Sequence, residues 1–496
     1  MTASKNRIKK HKCPGNERHN TYKHTTSKFS ILFFLLLFLI PTCSANNIIE
    51  INPVDTPQGA VILIIDGLSS CYVYPEYTPY AIDGSVLDKA MPEKMLQIFD
   101  NSCRVLDVIA PQTFTEGGHS VIATGYSKAD GVLVGSSGTT IYDIAHDNGY
   151  LTFGIMEKGD SSGFCSKQNV IIHDAENSIT EPEMIIATNR ISGAGKGISL
   201  DIAELMQKNS AKLQARLDTY PEGSQGRYDI YNIWAIETGM HIVDLMGTEY
   251  PGQNYILTIN AGAVDSAGHY KKDSGYIASI EGIDNVTMEL YKTCMENNIA
   301  FIFTGDHGMS FSTKDSKGGH QADKYSVMPE SQKVPFVIAA KDVKIEVIEG
   351  QFGQEDIAPT ILEILNMPGK LRASDGVAIP VKDYVNLKVI VPEKGELALM
   401  ENEAVLFETT TYESISLLGL VPDRDYILKY SSTANPNKDI EMLVNTGSST
   451  IINMHAPSKQ STNDKSYQNP LYIAGGGLIG VVNLAGLLLI RKVLKE

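Results

Sequence analysis

Four short stretches of this chain gather side chains that can bind metal ions and activate a hydroxyl. Thr113-Phe-Thr-Glu-Gly-Gly-His119 offers two hydroxyls, on Thr113 and Thr115, where a helix begins; apolar residues at helical spacing run from the glycines to Gly125. A helix N-terminus exposes unpaired N–H groups and the positive end of the dipole, a setting that suits an anion. A hydroxyl held there can be deprotonated by a metal and attack phosphorus. Asp265-Ser-Ala-Gly-His269 sets a carboxylate and an imidazole four residues apart. Asp306-His-Gly308 sets them side by side, and Lys317-Gly-Gly-His320 adds a third imidazole on a glycine-rich loop. Asp66, in Ile65-Asp-Gly67, supplies one more carboxylate. Mixed carboxylate and imidazole ligands suit Zn²⁺ or Mn²⁺ better than Ca²⁺.

All of these except the Lys317 loop follow an apolar run that reads as a buried strand. Gly59 to Ile65 is a strand buried on both faces, as in a parallel sheet covered by helices, and Asp66 sits at its carboxyl end. Open α/β sheets place their ligands at that edge. Val105 to Ala110 leads into the Thr113 stretch, Tyr255 to Asn260 into Asp265, and Ala300 to Thr304 into Asp306. Tyr150 to Met156 and Pro335 to Ala340 are further strands. Helices are expected at Thr139 to Asn148, near Tyr228 to Met246, over Ile277 to Glu296 and over Gln354 to Leu365. The alternation predicts an α/β fold, a mostly parallel sheet flanked by helices. From about Asn386 the runs become short and β-rich (387–391, 404–409, 426–430, 441–444), which predicts a small β-domain over 387–457.

The two ends imply a location. Residues 1–28 are polar and basic, Phe29 to Ile40 is apolar apart from Ser30, and small residues follow up to Ala45, so 1–45 reads as a secretory signal. Leu471 to Ile490 carries no charge, and about twenty residues suffice to cross a bilayer as a helix. Arg491, Lys492 and Lys495 come next, which places the C-terminus in the cytoplasm and 46–386, the predicted catalytic domain, outside it. Residues 458–470 are a polar linker between the two. Past the signal, Cys71, Cys103, Cys165 and Cys294 could pair as two disulfides in an oxidising compartment, in any of three connectivities. The formal net charge of −16 over 496 residues argues against a nucleic-acid partner.

The order Asp-Gly, Thr-x-x-x-His…Thr-Gly, Asp-x-x-x-His, Asp-His-Gly, Gly-His resembles the alkaline phosphatase superfamily over roughly residues 58–370, and its nucleotide pyrophosphatase/phosphodiesterase branch most in pattern. The resemblance implies one metal on Asp265, His269 and His320, and a second on Asp66, Asp306, His307 and the Thr115 oxygen. It implies two divalent ions, Zn²⁺ or Mn²⁺, that clamp the attacking and leaving oxygens of a phosphate ester in an in-line displacement. The ten-residue interval from Thr115 to Gly125 matches the family's nucleophile, which leaves Thr113 in support; His119 falls in a supporting position as well. Lys158 lies near where alkaline phosphatases place a basic residue. The chain lacks the Cys-x-Pro-x-Arg frame of sulfatases, carries Asn260 where a third-metal Glu would stand, and has no phosphoryl-binding Asn in 131–137. The function implied is a membrane-anchored extracytoplasmic phosphoric ester hydrolase, a phosphodiesterase or phosphomonoesterase working through a phospho-threonine. A phosphotransferase or mutase on the same site, or a non-catalytic surface module, is the alternative.

Overall fold

The computed structural model describes residues 47–455, except 159–161, 191–192, 368 and 436–438. The predicted signal at 1–45, the linker at 458–470 and the apolar segment at 471–490 lie outside the described residues. Among the described residues, no helix is long and apolar enough to cross a membrane.

In chain order, a short strand β1 (Asn47–Glu50) precedes the central strands β2 (Gly59–Ile65), β3 (Cys103–Ile109), β4 (Leu151–Met156), β5 (Val170–Asp174) and β6 (Met184–Thr188). Then come β7 (Tyr255–Ala261), β8 (Ile299–Gly305), the two-residue strands β9 (Ser310–Phe311) and β10 (Gly318–Gly319), β11 (Lys333–Ala339) and β12 (Val347–Gly353). Nine of these form one sheet in the order β12-β3-β11-β8-β2-β7-β4-β5-β6. The pairs β12/β3, β8/β2, β2/β7, β7/β4 and β4/β5 are parallel, while β3/β11, β11/β8 and β5/β6 are antiparallel. The sheet is therefore mixed with a parallel majority. Because β11 runs against both neighbours, β3 ends on the same edge as β8, β2, β7 and β4.

Strand alternation explains how the sheet is covered on both faces. Val61, Leu63 and Ile65 of β2 enter one core with Trp234, Ile242 and Tyr276 from the helices Gln225–Glu249 and Ala263–Gly282. Ala60, Ile62 and Ile64 enter the other, with Ile122, Tyr142 and Ile361 from the helices Thr115–Thr124, Ile141–Asp147 and Ile357–Ile364. Every residue of β2, β7 and β8 is buried, as their apolar composition demands.

Several sequence expectations change. The helix expected over 277–296 is the end of one helix, Ala263–Gly282, and a second, Asp284–Glu296, separated at Ile283. Gln354–Asp356 is a 3₁₀ turn that leads into the helix Ile357–Ile364. Cys71, Cys103, Cys165 and Cys294 are all free thiols, so neither expected disulfide forms among the described residues. They sit on separate elements, and burial pushes the Cys71 and Cys103 thiols up to about 11 and about 12.

The chain then runs through β13 (Val385–Ile390), β14 (Gly395–Glu401), β15 (Ala404–Thr411), β16 (Ser414–Leu420), β17 (Asp425–Ser432), β18 (Asp439–Asn445) and β19 (Thr450–Asn453). These strands make two four-stranded sheets, β1-β16-β13-β19 and β15-β14-β17-β18, with one shared core that includes Leu387, Leu397, Leu417 and Leu428. The first described strand, β1, joins this sandwich by parallel pairing with β16 rather than the large sheet.

Candidate active site

The edge where β8, β2, β7 and β4 all end carries the predicted residues. Asp66 directly follows β2 and Asp306 directly follows β8. Asp265 lies in the first turn of the helix that begins at Ala263, just past β7. Lys158 follows β4, and Thr115 opens the helix Thr115–Thr124 beyond β3. Two glycines let these elements come together. Gly67 has φ +74°, and a Cβ there would lie 3.0 Å from the Asp265 Cβ. Gly118 brings the helix against Asp306, whose carbonyl oxygen would lie 2.3 Å from an added Cβ.

Two clusters result. In the first, His269 Nε2 and His320 Nε2 each lie 3.3 Å from Asp265 Oδ1, and 3.0 Å from one another. In the second, His307 Nε2 lies 3.5 Å from Asp66 Oδ1 and 3.4 Å from Asp306 Oδ2. Thr115 Oγ1 belongs to this second cluster, 3.4 Å from Asp66 Oδ1 and 3.3 Å from His307 Nε2. The rings of His307 and His320 stack with centroids 3.8 Å apart, which joins the two clusters into one centre. The structure thus brings together Asp66, Thr115, Lys158, Asp265, His269, Asp306, His307 and His320.

The donor set fits cations. Asp66 Oδ2, Asp265 Oδ1 and Asp306 Oδ2 are buried oxygens without a hydrogen-bond partner. Buried carboxylate oxygens left in that state are costly unless a proton or a cation meets them. Each cluster has three side chains whose ligand atoms converge within 4.8 Å. Burial, with Asp306 and Asp265 adding like charge, raises the Asp66 carboxyl well above the usual range. Burial likewise pushes Asp306 up to about 7, with Asp265 contributing and backbone N–H groups opposing. Asp265 goes the other way: burial would raise it, but Lys158 and the two imidazoles hold it well below the usual range. Burial and the neighbouring His320 hold His307 neutral, well below an ordinary imidazole.

Supporting residues fix these groups in turn. Thr113 Oγ1 donates to the His320 carbonyl at 2.8 Å, and His320 Nδ1 lies 2.6 Å from the Thr113 carbonyl, which leaves Nε2 facing the cluster. His307 Nδ1 is similarly set against the Gly308 carbonyl at 2.9 Å. His119 Nε2 lies 3.2 Å from Asn260 Nδ2 and 3.8 Å from Asp306 Oδ2, beside the second cluster. Lys158 Nζ contacts Asp265 Oδ2 at 2.5 Å, and its backbone N–H donates to Asn260 Oδ1 at 3.0 Å.

Sequence reasoning missed three residues that hold the site. Glu157 is wholly buried and its Oε2 accepts from the Gly262 N–H at 2.6 Å, while Asn232 Oδ1 accepts from the Ala263 N–H at 2.8 Å. Together they cap the turn that presents Asp265. Gln354 Nε2 donates to the carbonyls of Gly305 and Asp306 at 3.0 and 2.7 Å. Glu157 could have been found, because a carboxylate straight after an apolar strand is the signal that singled out Asp66. Asn232 and Gln354 lie far from the motifs in ordinary helical surroundings, and nothing local marks them.

Comparison with known proteins agrees with a metal centre here. A family model described as "Metalloenzyme superfamily" matches residues 231–369. Among curated proteins, the 2,3-bisphosphoglycerate-independent phosphoglycerate mutase of Ehrlichia canis (strain Jake) is 27% identical over 150 residues, 30% of this chain and 28% of that protein. The same enzyme of Anaplasma phagocytophilum (strain HZ) is 24% identical over 139 residues, 28% of this chain and 27% of that protein. The match thus spans little more than a quarter of these relatives' length. Among solved structures, alkaline phosphatase PafA aligns with a TM-score of 0.46 at 12% identity, over 67% of this chain and 100% of that one. Phosphonate monoester hydrolase SpPMH from Silicibacter pomeroyi aligns with a TM-score of 0.40 at 12% identity, over 89% and 95%. The segment that is similar to the Metalloenzyme superfamily holds Asp265, His269, Asp306, His307 and His320.

Proposed function

We propose that this chain is a metal-dependent phosphoric ester hydrolase with Thr115 as its nucleophile. The observation that carries the reading is the placement of Thr115 Oγ1 beside Asp66 and His307, at the N-terminus of a helix, with a second ligand cluster next to it. Asp265, His269 and His320 would hold one divalent cation, and Asp66, Asp306, His307 and Thr115 the other. Zn²⁺ or Mn²⁺ in those places supplies positive charge that lowers the pKa of a hydroxyl and stabilises a transferring phosphoryl group.

The chain's own residues do the rest. The first turn of the helix Thr115–Thr124 presents free N–H groups to the phosphoryl oxygens. Thr115 Oγ forms a bond to phosphorus while the bond to the leaving alcohol breaks. Water then cleaves the Oγ–P bond, which restores the hydroxyl and releases phosphate from a monoester or a phosphate monoester from a diester. Lys158, held at the rim of the Asp265 cluster, adds a positive charge for the phosphoryl group. Diester and monoester substrates both suit this scheme, and parallel rates on bis-nitrophenyl phosphate and nitrophenyl phosphate decide between them.

Thr115→Ala should lower kcat/KM by several orders of magnitude, the scale seen when a covalent nucleophile is lost. Thr113→Ala should cost far less, since its hydroxyl only braces the His320 backbone. Acid quenching should trap phosphate on Thr115, and phosphorus stereochemistry should be retained overall. Label on Thr113, inversion at phosphorus, or an active Thr115→Ala protein would overturn the assignment.

The mutase names of the curated relatives favour one second reading, phosphoryl transfer to another alcohol rather than to water. Phosphate that appears on an added alcohol in excess of free phosphate would select it. We also propose an extracytoplasmic location on a single C-terminal anchor, supported by the uncharged run Leu471 to Ile490 and the basic residues after it.

A further inference from the structure

The rim of the Asp265, His269 and His320 cluster carries side chains for which the scheme above has no task. Tyr270 follows His269 directly and is 67% exposed, with its ring centroid 6.4 Å from that of His269 in an edge-on arrangement. Lys317, on the loop that leads into His320, has its Nζ 5.8 Å from the centre of the Tyr270 ring. That loop is fixed from two sides. Gly318 O lies 3.3 Å from His269 Nδ1, and the Asp315 N–H donates to Oδ1 of the buried Asp273 at 3.1 Å.

The backbone supplies an independent sign of constraint. Lys272 interrupts the helix Ala263–Gly282 with φ 68° and ψ 179°. This region is essentially reserved for glycine, and residues held in such conformations cluster at functional sites. The break falls between Tyr270 and Asp273, so the turn that carries the tyrosine ends abruptly and the next residue reaches across to pin the Lys317 loop. An isolated exposed aromatic needs no explanation. Here the aromatic lies against a cluster residue, a cation lies over its face, and strained backbone holds both in place.

We propose that Tyr270 and Lys317 form the leaving-group subsite, a platform for a planar aromatic alcohol that carries a negative charge. The proposal rests on the phosphoric-ester reading for its geometry. With Thr115 in the Asp66 cluster, in-line attack puts the leaving oxygen on the opposite side, toward Asp265, His269 and His320. An aromatic ring attached to that oxygen emerges beside Tyr270, where it can stack, and an anionic substituent on it meets the Lys317 ammonium.

The test uses the full chain loaded with Zn²⁺ or Mn²⁺ and compares phenyl phosphate, carboxyphenyl phosphate and glycerol phosphate. In Tyr270→Ala, the ratio of kcat/KM for phenyl phosphate to that for glycerol phosphate should fall by about tenfold, mainly through KM. Tyr270→Phe should restore that ratio. Lys317→Ala should lower the preference for carboxyphenyl over phenyl phosphate. Bound metal, measured in parallel, should be the same in all variants. Equal losses on all esters, or unchanged ratios, would overturn the subsite while leaving the hydrolase reading intact. If no ester is cleaved by metal-loaded protein, the hydrolase reading falls, and binding of phenylphosphonate against methylphosphonate then decides the subsite. Selectivity that disappears in Tyr270→Ala upholds it, and the lack of such selectivity overturns it.

Discussion

At the scale of single residues, the centre is defined by three buried aspartates with opposite electrostatic situations. Asp265 is neutralised within the chain by Lys158 and two imidazoles, whereas Asp66 and Asp306 face each other with only the neutral His307 between them. The metal-free protein must therefore bind protons in the Asp66 cluster. Asp306 shows this most directly, with its carboxyl pushed by burial up to about 7. An unfolded aspartate titrates near 4, so between about 4 and about 7 the folded state holds a proton that the unfolded state has lost. Stability of the metal-free protein from this group is thus complete below about 4 and is lost as pH rises through about 7. A cation binds the ionised form and acts in the opposite sense. The rise in melting temperature on adding Zn²⁺ or Mn²⁺ should grow between about pH 5 and about pH 8, and Asp306→Asn should abolish most of that growth. A metal-induced shift that is flat with pH would mean that Asp306 is not among the ligands.

At the scale of elements, the site depends on how closely the helix Thr115–Thr124 approaches the turn after β8. Gly118 permits that approach, because any Cβ would overlap the Asp306 carbonyl and lie 2.9 Å from the Asp306 Cβ. Backbone cannot yield as a side chain can, so Gly118→Ala should push the helix start outward and carry Thr115 with it. A displacement near 1 Å is enough to cost about a hundredfold in rate, and overpacking of this kind costs about 1–3 kcal/mol of stability. Gly117→Ala is the control, since its Cβ would meet the end of the Phe114 ring at 2.6 Å and the Gln112 side chain, both able to move. Activity assays and thermal unfolding of the two variants should separate widely. Similar values for both would show that helix placement does not set the geometry.

The same scale shows what could be read from the chain. β2, β7 and β8 were legible because strands buried on both faces must be apolar throughout; β2 and β8 are followed at once by a ligand-type residue, and β7 is followed by Asp265 in the first turn of the next helix. β12 was not legible: Val347–Gly353 lies at the sheet edge, is largely exposed and contains two glycines. The strands Val170–Asp174 and Met184–Thr188 and the helix Lys196–Leu217 also went unread within a polar region. The break at Ile283 was hidden because apolar periodicity runs on from one helix into the next. Seven of the eight candidate residues come from motif order rather than from any single motif, and Lys158 comes from the resemblance alone. Glu157, Asn232 and Gln354 act through backbone groups brought near by folding, and sequence spacing does not record that.

At the scale of the whole molecule, the β-sandwich is bound to the α/β body by a buried polar network. Lys382 Nζ donates to the Ile364 carbonyl at the end of the helix Ile357–Ile364 and to Asn366 Oδ1, at 2.8 and 2.9 Å. Asn386 Nδ2 donates to the same Asn366 oxygen, and Ser449 Oγ donates to Glu363 Oε1 at 2.7 Å. Buried networks that are well satisfied hold one arrangement. The sandwich also receives both ends of the described chain, for β1 and β19 form the two edges of one sheet. The described elements next in sequence to the expected signal and to the expected C-terminal anchor are therefore both strands of the β-sandwich. On the C-terminal anchor proposed above, the sandwich would be the membrane-proximal part and the α/β body would face outward. The interval 456–470 can reach at most about 50 Å when fully extended, which would bound how far the sandwich stands from the proposed anchor. A stop codon after Lys465 removes Leu471 to Ile490 and leaves every described element in place. That protein should appear in the soluble fraction, with the melting temperature and metal-dependent activity of the detergent-solubilised full chain. Membrane retention of the truncated chain after signal removal would place the attachment elsewhere, and soluble but inactive protein would show that the C-terminal segment contributes to the fold.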